Sequence, residues 1–223
     1  MDIKRIYEVI TIIIKAKYKA YLVGGSSRDF LYARNFTDVD IATNAPLDYI
    51  SKTFNVINDQ GKSMGSLKIN YKNVVMELTR FRKEEYNEKS SFPKVVEYLK
   101  DAEDDAIRRD FTINAIYLDV TTNEIVDPYD GIKDLFSYKV KFIGDPKERI
   151  KEDPTRIIRG IRLAYKMNFS IDEETNSAFM DCINELDRIS SSKLNKEIEK
   201  TRVDLGQERA DKILAIYNIK ERK

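Results

Sequence analysis

Histidine is absent from these 223 residues, which excludes every mechanism that uses imidazole as base, nucleophile or metal ligand. Cys182 is the one cysteine, so an intrachain disulfide and a Cys-rich zinc site are excluded as well. It lies in an apolar helical pattern with Phe179, Ile183 and Leu186, where an inert core thiol is expected. Chemistry is left to carboxylates, Arg, Lys, Tyr and hydroxyls, and such oxygen ligands suit Mg²⁺ or Mn²⁺. Excess charge is missing too. The formal net charge is +1, so any surface for phosphates has to be a local patch. Long apolar runs are also lacking. Ile10 to Ile14, with Thr11 inside it, is too short to span a membrane and has no signal-peptide flank. A cytoplasmic protein is the expectation.

What is present fits a globular chain, with 42% hydrophobic and 35% charged residues, long enough for one sizeable core or two smaller domains. Helical spacing over 2–17 leads to a short strand at 21–23, Gly24-Gly25, and a helix over 28–33. Asp38 to Ala42 alternate as a half-buried strand does, and Pro46 can open a short helix. Further strands are expected at 54–57, 66–71 and 74–79, with Lys72-Asn73 as the turn between the last two. Residues 83–105 are charged and contain Ser and Pro, which reads as a long mobile loop. Strands at 116–120 and 125–126 follow. After about Tyr138 the strands are expected to stop, with helices over 146–168, 172–188, 191–203 and 206–219. The organisation is a mixed α/β head over 1–137 and an all-helical part over 138–223.

Asp38-Val39-Asp40-Ile41 sends two carboxylates to one face of a strand and two apolar residues to the core. A solvated strand face is the ordinary meaning of such a pair; holding a divalent ion is the other. Gly24-Gly25 ends a strand and opens a helix, leaving backbone N–H groups that suit a phosphate, with Arg28 near enough to add charge-assisted bonds. Glu77 stands in a strand of apolar neighbours. A carboxylate there needs either a salt bridge, for instance to Arg80 or Arg82, or a metal. Together, the turn and the trio Asp38, Asp40 and Glu77 point to two-metal nucleotidyl transfer.

The stretch GGSSRDFLYARNFTDVDIAT, at 24–43, resembles the signature of class II tRNA nucleotidyltransferases, the CCA-adding enzymes, and of bacterial poly(A) polymerases. VVMELTRFR, RRDFTINAIYLD, DPYDGIKDL and EDPTRIIRGIRLAYKMNF match in the same order, and the resemblance spans about residues 18 to 200. It implies a nucleotidyltransferase-fold head with a mixed, mainly antiparallel sheet, followed by an all-α neck. The implied roles are metal binding by Asp38 and Asp40, completion of the catalytic site by Glu77, and a triphosphate turn at Gly24 and Gly25 touched by Arg28. Arg109 would be a nucleotide contact from the head. Arg159 and Arg162 would support phosphate or ribose contacts, and Asp110 and Asn114 would hold local structure. The 83–105 segment corresponds to the family's flexible loop.

On a helical wheel at about 100° per residue, Ile157, Ile161, Ala164 and Tyr165 fall on one side. Arg156, Arg159 and Arg162 gather opposite, with Asp153 beside Arg156. One meaning is a solvated face with an i,i+3 ion pair. The other is base recognition: a carboxylate acceptor beside a guanidinium donor complements cytosine and adenine and opposes guanine and uracil. The resemblance implies the second, because the family chooses its incoming base with this Asp and Arg.

The chain also departs from the family pattern. It stops near the end of the neck, so a short form without body and tail domains is expected. Met64-Gly65-Ser66 stands where His-Gly-Thr is usual, Ser192-Lys193 where Glu-Arg is usual, and Ser27 where Val is favoured. From Lys139 to Lys166, nine basic against four acidic residues leave +5, a patch suited to an RNA end. The expected activity is transfer from CTP and ATP to an RNA 3′ end, foremost tRNA CCA addition. A poly(A) polymerase, an enzyme adding only C or only A, and a non-catalytic RNA-binding relative are the alternatives.

Overall fold

The computed structural model describes residues 3–34, 38–87 and 90–222; residues 35–37 of the signature stretch and 88–89 of the expected loop lie outside these. The described chain forms two compact units. One comprises residues up to 85, 94–109 and 113–132, and the other 86–93, 110–112 and 133 onward. Two short segments from earlier in the chain thus go with the second unit.

In the first unit, Ile3–Lys15 (α1) is followed by Ala20–Leu22 (β1), Gly25–Leu31 (α2), Val39–Thr43 (β2), Leu47–Thr53 (α3), Asn55–Asn58 (β3), Ser66–Tyr71 (β4) and Val74–Arg80 (β5). Arg82–Asn87 (β6) and Ser90–Tyr98 (β7) make a separate two-stranded sheet. After them come Ala102–Ala106 (α4), Tyr117–Asp119 (β8) and Glu124–Val126 (β9). The seven-stranded sheet has the order β3-β4-β5-β2-β1-β8-β9. β2 and β5 run parallel and the other neighbours antiparallel, so the sheet is mixed and mainly antiparallel. α1 buries Ile6, Val9, Ile10 and Ile13 in a core with Leu22, Ile41, Ile69, Met76 and Leu78. Each such side chain contributes roughly 1.5–3 kcal/mol of burial. Lys72 and Asn73 both adopt positive φ, at 49° and 68°, as a two-residue hairpin turn matching the strand twist requires.

The 83–105 segment differs from the expected loop, since all of β7 and most of β6 and α4 fall inside it. The β6 sequence RKEEYN has no apolar and polar alternation, so no hydrophobic period marks that strand.

In chain order, Gly131–Phe136 (α5) is followed by Lys139–Val140 (β10), Pro146–Glu152 (α6), Thr155–Met167 (α7), Ser170–Ile171 (β11), Glu173–Asp181 (α8), Ser191–Leu205 (α9) and Gln207–Ile216 (α10). Strands do not stop at Tyr138: β10 and β11 pair in parallel over two residues each. The expected helix over 146–168 is two helices. Asp153 between them is extended, with φ −143° and ψ 97°, because a residue before proline is driven out of the α region. The Phe111 and Phe142 ring centroids lie 4.8 Å apart, and Phe142 lies 5.7 Å from Phe179. Gly160 passes against this cluster so closely that a Cβ there would lie 2.7 Å from the Phe111 ring. Cys182 follows the last residue of α8, half-buried, with burial pushing its thiol pKa up. No described helix is long and apolar enough to cross a membrane.

Candidate active site

The turn from β1 into α2 is clipped to β2 by one buried hydroxyl. Ser26 Oγ accepts from the Asp40 N–H at 2.8 Å and donates to the Asp38 carbonyl at 3.0 Å. Gly24 has φ 66°, which excludes most side chains; a Cβ there would be in ordinary contact with Asp40 Oδ2 at 3.7 Å. α2 begins at Gly25, earlier than the expected residue 28. Val39 and Ile41 are buried while Asp38 is exposed and Asp40 half-buried, as the alternation in the sequence requires.

Asp40 is in register with Glu77 across β2 and β5, and Glu77 with Lys68 across β5 and β4. Cross-strand partners share a face, so these three side chains form a row. Glu77 Oε1 accepts from Ser66 Oγ at 2.6 Å, and Oε2 lies 3.5 Å from Lys68 Nζ. The cation beside Glu77 is therefore neither Arg80 nor Arg82. Arg80 lies over the Tyr98 ring at 3.7 Å, and Arg82 pairs with Glu84 at 2.6 Å. Burial, then the charge of Glu77, push the Asp40 carboxyl up to about 6, with Arg109 and Arg28 opposing. Carboxylate oxygens suit a hard divalent cation, and a carboxylate strained by like charge is relieved by one. The residues thus fit Mg²⁺. As they stand, no three carboxylates among the described residues gather into a metal-binding group.

Two arginines flank Asp40 electrostatically. Arg28 Nη1 donates to Asn114 Oδ1. Arg109 Nε donates to the Tyr117 hydroxyl at 2.7 Å, which in turn donates to Asp105 Oδ2 at 2.6 Å. Asp105 is fully buried and also accepts from Arg108 Nε and the Arg82 N–H. Burial raises the Asp105 pKa, but Arg108 and Arg109 outweigh it and hold the carboxyl below its ordinary range. Asp105 therefore fixes the direction of Arg109.

The other expected site residues belong to the second unit. Asp153 Oδ1 accepts from Thr155 Oγ1 at 2.8 Å and from Lys193 Nζ at 3.1 Å. Arg156 is 2% exposed and donates to Glu152 Oε2 at 2.7 Å, to the Arg149 carbonyl at 2.7 Å and to the Tyr86 hydroxyl at 3.2 Å. Arg159 pairs with Asp110 at 2.6 Å and Arg162 with Glu197 at 2.7 Å. On the arginine side of α7, Arg156 and Arg162 are thus largely covered, while Arg159 stays 41% exposed. The +5 patch is largely neutralised within the chain. Lys147 pairs with Asp181 and Lys166 with Asp204, as Arg159 and Arg162 do with carboxylates outside the 139–166 window.

Residues 20–141 match the Poly A polymerase head domain. This chain belongs to that family. Its CCA-adding relatives include the enzyme of Enterococcus faecalis (strain ATCC 700802 / V583), 37% identical over 199 residues, covering 89% of this chain and 49% of the relative. That of Staphylococcus haemolyticus (strain JCSC1435) is 37% identical over 183 residues, covering 82% and 46%. The structure of the Bacillus stearothermophilus CCA-adding enzyme in complex with CTP superposes with a TM-score of 0.83 at 29% identity, over 96% of this chain and 51% of that one. The chain spans about half the length of the curated relatives it matches.

The Poly A polymerase match takes in Asp38, Asp40, Glu77 and Arg109, and also residues that the sequence reading passed over. Ser66 and Lys68 could have been found from the hairpin. With Lys72-Asn73 as the turn, Tyr71 opposes Val74, and counting back places Lys68 opposite Glu77. Asp105 precedes Arg108 and Arg109 at i,i+3 and i,i+4, the spacing of helical ion pairs. Nothing local pointed to Lys193 as the partner of Asp153, forty residues away.

Proposed function

We propose that this chain is a Mg²⁺-dependent RNA nucleotidyltransferase of the cytoplasm, adding C and A from CTP and ATP to an RNA 3′ end, foremost the CCA end of tRNA. Residues 1–137 act as its catalytic head and 138–223 as a helical neck. The observation that carries the reading is Asp40 on β2, in register with Glu77 and beside the Gly24 turn, with Asp38 two residues before it. It stands in a chain whose relatives are named CCA-adding enzymes. Asp38 and Asp40 would hold the divalent cations of a two-metal site, which would supply a lowered pKa for an attacking 3′-hydroxyl and charge neutralisation for departing pyrophosphate. Glu77 completes the acidic face. Backbone N–H groups at Gly24 and Gly25, with Arg28, cradle the triphosphate, and Arg109 supplies a further contact to the nucleotide. Asp153 accepts from the exocyclic amine of cytosine or adenine while Arg156 donates to the adjoining ring nitrogen, which rejects guanine and uracil without a template. Arg159 and Arg162 support the phosphate or ribose.

Labelled CTP and ATP, supplied with Mg²⁺, test the reading on tRNA lacking CCA, tRNA ending in CC, and an unstructured oligonucleotide. Ordered addition of C, C and A to the first, followed by termination, is expected. Long A tracts on the oligonucleotide would replace the reading with poly(A) synthesis. Silence on all three from a folded protein would overturn it.

A further inference from the structure

Glu77 is held at both oxygens from within the chain, by the Ser66 hydroxyl on Oε1 and the Lys68 ammonium near Oε2. Lys68 stands between the buried Leu67 and Ile69 on β4, so strand alternation sends it to the face that carries Asp40 and Glu77. The hairpin turn fixes that register, since moving Lys68 off this face would need a one-residue slip that exposes Leu67 and Ile69. The carboxylate row thus ends in a cation belonging to the protein itself. Resting on the proposed metal site, we infer that Lys68 is a built-in competitor for the metal. Its ammonium keeps Glu77 engaged, leaves Asp38 and Asp40 to bind the divalent ion, and has to be displaced before Glu77 can join them.

The pair is half-exposed, with 51% and 38% of the two side chains open to solvent, so the competition is weak in size. Pairs of this exposure correspond to a few-fold in an equilibrium constant. Lys68→Met is expected to tighten Mn²⁺ binding about threefold, read as the free Mn²⁺ signal in electron paramagnetic resonance, with no nucleotide present. Lys68→Arg should bind as the wild type does. In a Glu77→Gln background, Lys68→Met should change nothing, because the competed ligand is gone. Tightening that persists in that background would show a long-range charge effect and overturn the inference. So would unchanged affinity in Lys68→Met while Asp40→Asn abolishes binding; the metal site would then stand and only the role of Lys68 fall. If the wild type binds no Mn²⁺, or binds it equally well after Asp40→Asn, the metal site fails and this inference with it.

Discussion

The carboxylate face of β2 and β5 and the arginine side of α7 treat charge in opposite ways. On the first, like charges crowd together: Asp40 is pushed up to about 6 by its burial and by Glu77. On the second, Arg156, Arg159 and Arg162 each already hold a carboxylate, at 2.6 to 2.7 Å. The acidic face is strained without a ligand and is relieved by binding a cation. The basic side is satisfied without a ligand, so giving up an internal pair for a nucleotide has a cost: loss of the Arg159 or Arg162 bond leaves a buried carboxylate behind, Asp110 or Glu197. One region is built to gain charge, the other to exchange partners.

The largest expected effect comes from the strained side. Asp40→Ala should lower CTP and ATP incorporation by about a thousandfold or more, the order of a lost metal contribution of several kcal/mol. Circular dichroism should show the fold intact. Normal turnover by the folded variant would remove the acidic face from the chemistry.

A pH series separates the two regions by sign. The folded-state pKa of Asp40 is raised, so its favourable contribution is present below about 4 and is lost as pH rises toward about 6. Without metal, Asp40→Asn should therefore exceed the wild type in stability above pH 6 by about 1–3 kcal/mol, and match it below pH 4. Glu197 is the reverse case. Burial opposes ionisation there, but Lys200 and Arg162 outweigh it and lower the pKa. Its contribution is present above its unfolded value and is lost as pH falls through the folded one. Glu197→Gln should cost about 1–3 kcal/mol at neutral pH, with the difference closing in acid. Urea denaturation with chelator, taken from about pH 2 to about pH 8, reads both. Two variants deviating in the same direction would break the comparison.

The strained region was also the more legible one. Asp38 and Asp40 can be placed on one face by strand period alone, and Glu77 by the apolar strand around it, because a seven-stranded sheet with a buried core enforces alternation. The hairpin register even contained Lys68. The self-satisfied region was harder to read. Helical periodicity runs through the break at Asp153-Pro154, and the partners of Arg159 and Arg162, Asp110 and Glu197, lie far along the chain. Counting charges over 139–166 gave a basic patch because it left out the acids that folding brings in. β6 and β7 escaped notice for a related reason. Their sequence is charged and contains Ser and Pro, and pairing within the two-stranded sheet leaves no regular apolar alternation to read.

The smallest effect tests whether Asp153 reads a base or only holds α7 in place. Its carboxylate accepts from Thr155 at the head of α7 and from Lys193 on α9, so Asp153→Ala loses structural bonds whatever else it does. A structural role alone predicts lower stability and a uniform loss of rate with all four nucleotides. Base reading predicts a change in ratio: the exclusion of GTP and UTP relative to CTP and ATP should weaken by about tenfold, the scale of one lost polar discrimination. Lys193→Met supplies the contrast, since it breaks the same ion pair and keeps the acceptor. It should lower stability slightly and leave the ratio unchanged. If both variants shift the ratio equally, the ion pair rather than the carboxylate sets selectivity. If neither does, the base is read elsewhere, and the satisfied side of α7 is scaffold.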